Sequence, residues 1–160
     1  MIPCSSEGYT EKRAIQNGYD KGEMESLERI ICDFPDYKFR FGQKFAFRPP
    51  RTIVIGPSEP FSELLFLHEL GHAILKHKDF RMDVTRIKME NSAWEEAKKL
   101  ALKYKIKVDE EIIQSELDTY RDWLHKKSRC PDCGLTRFQT PDGQYHCPRC
   151  SEFRLKTIKK

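Results

Sequence analysis

Residues 61–77, FSELLFLHELGHAILKH, are apolar around nearly the whole circumference of a helix, yet His68, Glu69 and His72 sit at their centre. A helix that is apolar all round is a buried one. A polar side chain buried there without a partner costs a few kcal/mol, on the order of 2–7. The chain therefore has to fold around something that compensates these three residues. His68 and His72 are four apart, so on a helix they lie one turn above the other on one face. That is the spacing at which two imidazoles take neighbouring corners of a tetrahedral zinc site. Glu69, next to them, stands where a general base would hold the attacking water. On a solvated helix the same motif would be two ordinary surface histidines; burial and the small Gly71 favour the metal.

Around this helix the hydrophobic period changes several times. No clear period marks residues 1–20, which are expected to form a loose arm or a short helix. Met24, Leu27, Ile30 and Ile31 recur at helical spacing within 23–34, and Pro35 ends that helix. Tyr37, Phe39 and Phe41, then Phe45 and Phe47, alternate with polar or small residues. With Gly42-Gln43 between them they read as a hairpin with an aromatic face. Residues 52–55, TIVI, form a third strand, whose edge beside the metal helix is either paired on both sides or open to an extended peptide. Asp83 is the expected N-cap of a long helix over 84–104, and another helix follows over 109–126. The fold class is thus α+β: a small antiparallel sheet packed on the HExxH helix and further helices, with a small C-terminal zinc ribbon.

A catalytic zinc site takes a third protein ligand. At about 100° per residue His77 lies on the opposite side of the helix from His68 and His72, and it reads as a helix-end residue near the last carbonyls. Leu75 and Lys78 occupy the Gly and His positions of the extended pattern HExxHxxGxxH, so that pattern is not met. In the following helix Glu90 falls in the middle of the apolar face, among Ile87, Trp94, Ala97 and Ala101, while Glu95 is nearly opposite and Glu96 to one side. A carboxylate centred on a buried face needs a cation or strong hydrogen bonds. Glu90 is accordingly the expected third ligand, with a salt bridge to a basic group such as Arg86 as the alternative.

HELGH followed by Glu90-x-x-Ala93-Trp94-x-x-Ala97 resembles the ImmA/IrrE family of small gluzincin-type metallopeptidases over about residues 23–104. The resemblance implies zinc held by His68, His72 and Glu90, with Glu69 as the base that activates water and returns its proton to the leaving amine. Ser92 stands where the family often has an acidic residue and Trp94 where it often has Asn, which leaves the support of His68 and His72 unassigned. Tyr104, Tyr120, Arg121 and His125 are the candidates for stabilising the oxyanion.

Cys130-Pro-Asp-Cys133 and Cys147-Pro-Arg-Cys150 form two CPxC knuckles thirteen residues apart. Two such knuckles complete a closed, structural zinc site of four thiolates, with strands over 135–140 and 144–146 around Pro141-Asp142-Gly143. Two zinc ions per chain are thus expected, one catalytic and one structural. Residues 1–127 read as the peptidase-like domain and 128–160 as the ribbon with its basic tail. Cys4 and Cys32 remain as structural thiols.

The formal charge of +4 resides in 128–160, which carry seven Lys/Arg against three Asp/Glu. With Phe138, Tyr145 and Phe153 among the basic residues, this tail is a surface for nucleic acid or for a protein partner. The N-terminus carries neither a basic start nor an apolar stretch of the secretory kind, and no apolar run approaches a membrane span. Paired CxxC motifs suit a reducing compartment, so the expected address is the cytoplasm and no membrane partner is expected. The leading reading is a zinc endopeptidase cleaving a protein partner, such as a regulator held by the ribbon. Two others stand beside it: a non-catalytic ribbon-bearing adaptor, and a SprT-like protease of DNA-bound proteins. That last group shares the domain order, but its third ligand is a histidine, and residues 78–124 contain none.

Overall fold

The computed structural model describes residues 10–57, 62–78 and 81–151. Cys4, Phe61, Phe153 and the basic residues Arg154, Lys156, Lys159 and Lys160 fall outside them. The chain divides into two compact units, residues 1–78 with 91–109, and residues 79–90 with 110–160. None of the described helices is long and apolar enough to cross a membrane.

The first unit opens with α1 (Glu11–Gln16) and α2 (Lys21–Asp33). Asp20 starts α2 with a capping box: its carboxylate accepts from Glu23 N–H at 2.9 Å, and Glu23 accepts from Asp20 N–H at 3.0 Å. This cap begins the helix at Lys21, three residues before the apolar stripe starts at Met24. Met24, Leu27, Ile30 and Ile31 form its buried face, as their spacing requires.

Three short strands follow, β1 (Lys38–Phe41), β2 (Ala46–Arg48) and β3 (Thr52–Ile55), in the order β1-β3-β2. The expected hairpin between residues 37–41 and 45–48 is not formed. β1 pairs in parallel with β3, and β2 pairs antiparallel with the other side of β3. The connection crosses the end of β3 at Gly42, whose N–H donates to Ile55 O at 2.9 Å. A Cβ on Gly42 would lie 2.5 Å from Val54 Cγ1, so the crossing needs a glycine. TIVI is therefore the central strand, paired on both sides, and Ile53, Val54 and Ile55 are all buried. That explains its unbroken apolar run. The sheet is mixed, and β1 and β2 form its two edges.

Helix α3 (Ser62–Ile74) packs on the sheet, with Phe66 against Phe39 at a ring separation of 5.9 Å. Leu64, Phe66, Leu67, Leu70 and Ala73 are buried. The helix ends earlier than expected. Lys76 takes a left-handed conformation (φ 55), Lys76 N–H donates to Ala73 O and His77 N–H to His72 O, both at 3.1 Å. This is a Schellman stop with lysine in the place usually taken by glycine. Residues 91–104 of α4 (Asp83–Tyr104) complete the unit, burying Ala93, Trp94, Ala97, Leu100 and Ala101.

The second unit holds the first two turns of α4, α5 (Glu110–Ser128) and a hairpin of β4 (Phe138–Gln139) and β5 (Tyr145–His146). Asp83 is the first helical residue rather than the N-cap expected. Its buried carboxylate accepts from Tyr145 O–H at 2.7 Å and from Lys127 Nζ at 2.8 Å, and its N–H donates to Gln139 Oε1 at 2.8 Å. The ribbon hairpin is thereby fastened to helices within its own unit. The hydrogen bonds and Lys127 hold the Asp83 carboxyl below the usual carboxylate range, against a burial effect that would raise it.

Candidate metal centre

Helix geometry alone sets His68 and His72 on one face of α3, and both are buried. Their Nε2 atoms stand 3.1 Å apart with the rings at 90°. Zinc–nitrogen bonds of about 2.0–2.1 Å place two ligand nitrogens of a tetrahedron roughly 3.3 Å apart. The observed separation is therefore the edge of such a site to within a few tenths of an ångström. Glu90 on α4 is also buried, and one of its carboxylate oxygens lies with the two histidine nitrogens inside a 4.8 Å cluster. Two imidazoles and a carboxylate are a donor set that suits zinc. The residues fit a metal ion on spacing, burial and chemistry together.

Close approach of α3 and α4 forms this part of the site. Gly71, between the two histidines, faces Ala93, where a Cβ would fall 2.6 Å from Ala93 O. One residue further along α4, Trp94 stacks on His68 with centroids 4.1 Å apart and planes at 29°. The indole thus sets the plane of the His68 ring, a role that the sequence left unassigned.

His77 is not across the helix from the metal residues. Because α3 stops at Ile74, the left-handed turn at Lys76 swings His77 back, and its Nδ1 lies 2.8 Å from His72 Nδ1. His77 Nε2 is 3.4 Å from Ser92 Oγ on α4. Both residues escaped sequence reasoning as participants. A helix carried through 77 puts His77 on the wrong face, and Lys76 bears none of the glycine signal that marks such a stop.

Glu69 is half-buried and its Oε2 accepts from Phe47 N–H at 2.6 Å. In β2 the pairs Ala46–Val54 and Arg48–Thr52 flank Phe47, so the Phe47 N–H points out from the sheet edge. The edge strand therefore holds the Glu69 carboxylate through its backbone. A cleft of about 380 Å³ adjoins this region, lined by Tyr37, Phe47, Pro49, Pro50, Ala73 and His77, with Arg51, Lys76 and Lys78 supplying positive charge and Asp36 negative.

Among the oxyanion candidates, Tyr104 is buried and its O–H donates to Asp33 at 2.7 Å, while the Arg121 guanidinium donates to Asp118 at 2.6 Å and Gln114 at 3.2 Å. Both donors are engaged with neighbours in their own units. No arrangement around Tyr120 or His125 assigns either to this role.

The four ribbon cysteines also come together. Cys130 and Cys150 sulfurs are 3.9 Å apart, Cys133 and Cys147 sulfurs 3.6 Å. Zinc–sulfur bonds of about 2.3 Å give a tetrahedral edge of roughly 3.8 Å, so this set fits a structural zinc ion. The Cys150 N–H pulls the Cys147 thiol down to about 7, whereas the neighbouring Cys133 pushes Cys150 up to about 12. One thiolate opposes the next, and a divalent cation removes that opposition. The chain thus combines an α+β fold, a buried His/His/Glu cluster able to hold a metal ion, and a ribbon-like four-cysteine cluster. No protein-family model, curated protein or solved structure matches it.

Proposed function

We propose that this protein is a zinc-dependent endopeptidase of the ImmA/IrrE type, in which His68, His72 and Glu90 hold the catalytic zinc and Glu69 is the general base. The observation that carries the proposal is Glu69: it sits inside the buried helix beside the two histidines and is held by the edge strand at Phe47. A site serving structure alone has no use for a carboxylate there. Zinc, when bound, supplies Lewis acidity that lowers the pKa of water and polarises the scissile carbonyl. Glu69 takes a proton from the attacking water and delivers it to the leaving amine. The Phe47 N–H holds one carboxylate oxygen, which leaves the other to handle the proton. The cleft beside Phe47 and His77 has room for substrate side chains next to the reacting bond.

The four-cysteine cluster is a structural zinc site that finishes the ribbon, and the basic residues around it serve a protein or nucleic-acid partner. Reduced cysteines suit a cytoplasmic setting.

The test compares wild type with Glu69→Gln on a proteome-derived peptide library, reading new N-termini by mass spectrometry. Both proteins should carry the same zinc, and only wild type should generate new termini. Equal termini from both, or none from wild type, would remove the peptidase reading and favour the adaptor.

A further inference from the structure

His72 and His77 meet nitrogen to nitrogen, Nδ1 to Nδ1 at 2.8 Å, with their rings 4.9 Å apart at 73°. Two neutral imidazoles in this geometry share one proton, so one ring donates and the other accepts. The direction follows from the other side of His72. Its Nε2 faces His68 Nε2 at 3.1 Å, and a metal held between them takes the Nε2 lone pair. His72 then keeps its proton on Nδ1 and donates it to His77 Nδ1. His77 in turn carries its own proton on Nε2, which faces Ser92 Oγ at 3.4 Å.

We propose that His77 is a positioning residue of the metal centre: it accepts the His72 Nδ1–H, holding that ring in the tautomer and orientation a metal needs, and Ser92 anchors His77. The inference rests on the metal-centre reading. The backbone builds the arrangement independently of the rings. Lys76 at φ 55 turns the chain, and His77 N–H bonds to the carbonyl of the same His72 at 3.1 Å. His77 is thus tied to His72 through both main chain and side chain. Metal-bound histidines ordinarily donate their second N–H to a carboxylate, carbonyl or water. An imidazole acceptor does the same without adding a carboxylate's negative charge to the site.

The experiment measures zinc affinity by chelator competition on the full chain, for wild type, His77→Ala and His77→Asn. Loss of the acceptor in His77→Ala should weaken the weaker-bound ion about 10- to 100-fold, while the ion on the four cysteines stays as in wild type. His77→Asn carries Oδ1 where the acceptor nitrogen was and should recover most of the affinity, which a merely steric role would not produce. Nitrogen-15 spectra of the histidine rings of the zinc-loaded chain should show His72 protonated on Nδ1 and His77 on Nε2. Wild-type affinity in His77→Ala, no recovery in His77→Asn, or a His77 protonated on Nδ1 overturns the positioning role alone. A wild type that takes up only the cysteine-bound ion sinks the metal centre and the positioning role together.

Discussion

Substituting Gly71 by alanine tests whether the approach of α3 to α4 makes the metal centre. The added Cβ would meet Ala93 O at 2.6 Å, where ordinary contact begins at 3.4 Å. The helices must therefore separate by about 0.8 Å, or the backbone must distort by as much. Overpacking of this kind costs about 1–3 kcal/mol, and the helix preference of alanine over glycine returns about 0.8–1.0 kcal/mol. The net loss is about 1 kcal/mol, a modest effect on melting. The effect on the site is larger, because Glu90 lies one turn before Ala93 on α4 and moves with it. Metal constellations tolerate displacements of about 0.5 Å, so zinc affinity at the histidine site should fall at least about tenfold. Chelator competition and thermal melting of the full chain read the two effects separately. Gly22→Ala is the control: that exposed glycine would place its Cβ 3.4 Å from Asp20 Oδ1, an ordinary contact. A Gly71→Ala protein that binds zinc as wild type does, and melts no lower, would refute the reasoning.

Two further outcomes concern stability. Lys76→Gly relieves a left-handed lysine (φ 55) and should stabilise the chain by about 0.5–1 kcal/mol in urea unfolding, since the strain it removes slightly exceeds the added chain entropy; a destabilised variant would contradict the Schellman assignment. Asp33, bound by Lys103 Nζ at 2.8 Å and Tyr104 O–H at 2.7 Å, has its carboxyl lowered from 3.8, chiefly by the Lys103 hydrogen bond. A lowered folded value means that its contribution is present above the usual carboxylate value and lost as pH falls through the folded one. Being partly exposed, the pair is worth about 0.5 kcal/mol after solvent screening. Asp33→Asn should lie below wild type by that amount at neutral pH and converge with it in strong acid; a gap that widens in acid would reverse the sign.

What could be read from the sequence was set by local spacing. His68 and His72 share a helix face, Glu90 centres an apolar one, and the CPxC pairs close on themselves, so each placement needs little beyond helix or knuckle geometry. The order of the strands does not follow from spacing. Alternating aromatics are compatible with a hairpin, and only the passage of Gly42 over Val54 sends β1 and β2 to opposite sides of β3. The continuous apolar run of TIVI was the available signal that β3 lies in the middle. His77 escaped because its position depends on one left-handed residue, and lysine gives no warning of it. Asp83 had the residue type of a cap, yet Tyr145 and Lys127, distant in sequence, claim its carboxylate.

The central claim is that His68, His72 and Glu90 hold a metal ion distinct from the one on the four cysteines. Zinc per chain, measured on the full-length wild type and on the double variant His68→Ala/His72→Ala, tests it most directly. Two ions falling to one, with the fold retained by circular dichroism, is the predicted result. Equal zinc in both proteins, whether one ion or two, would contradict it.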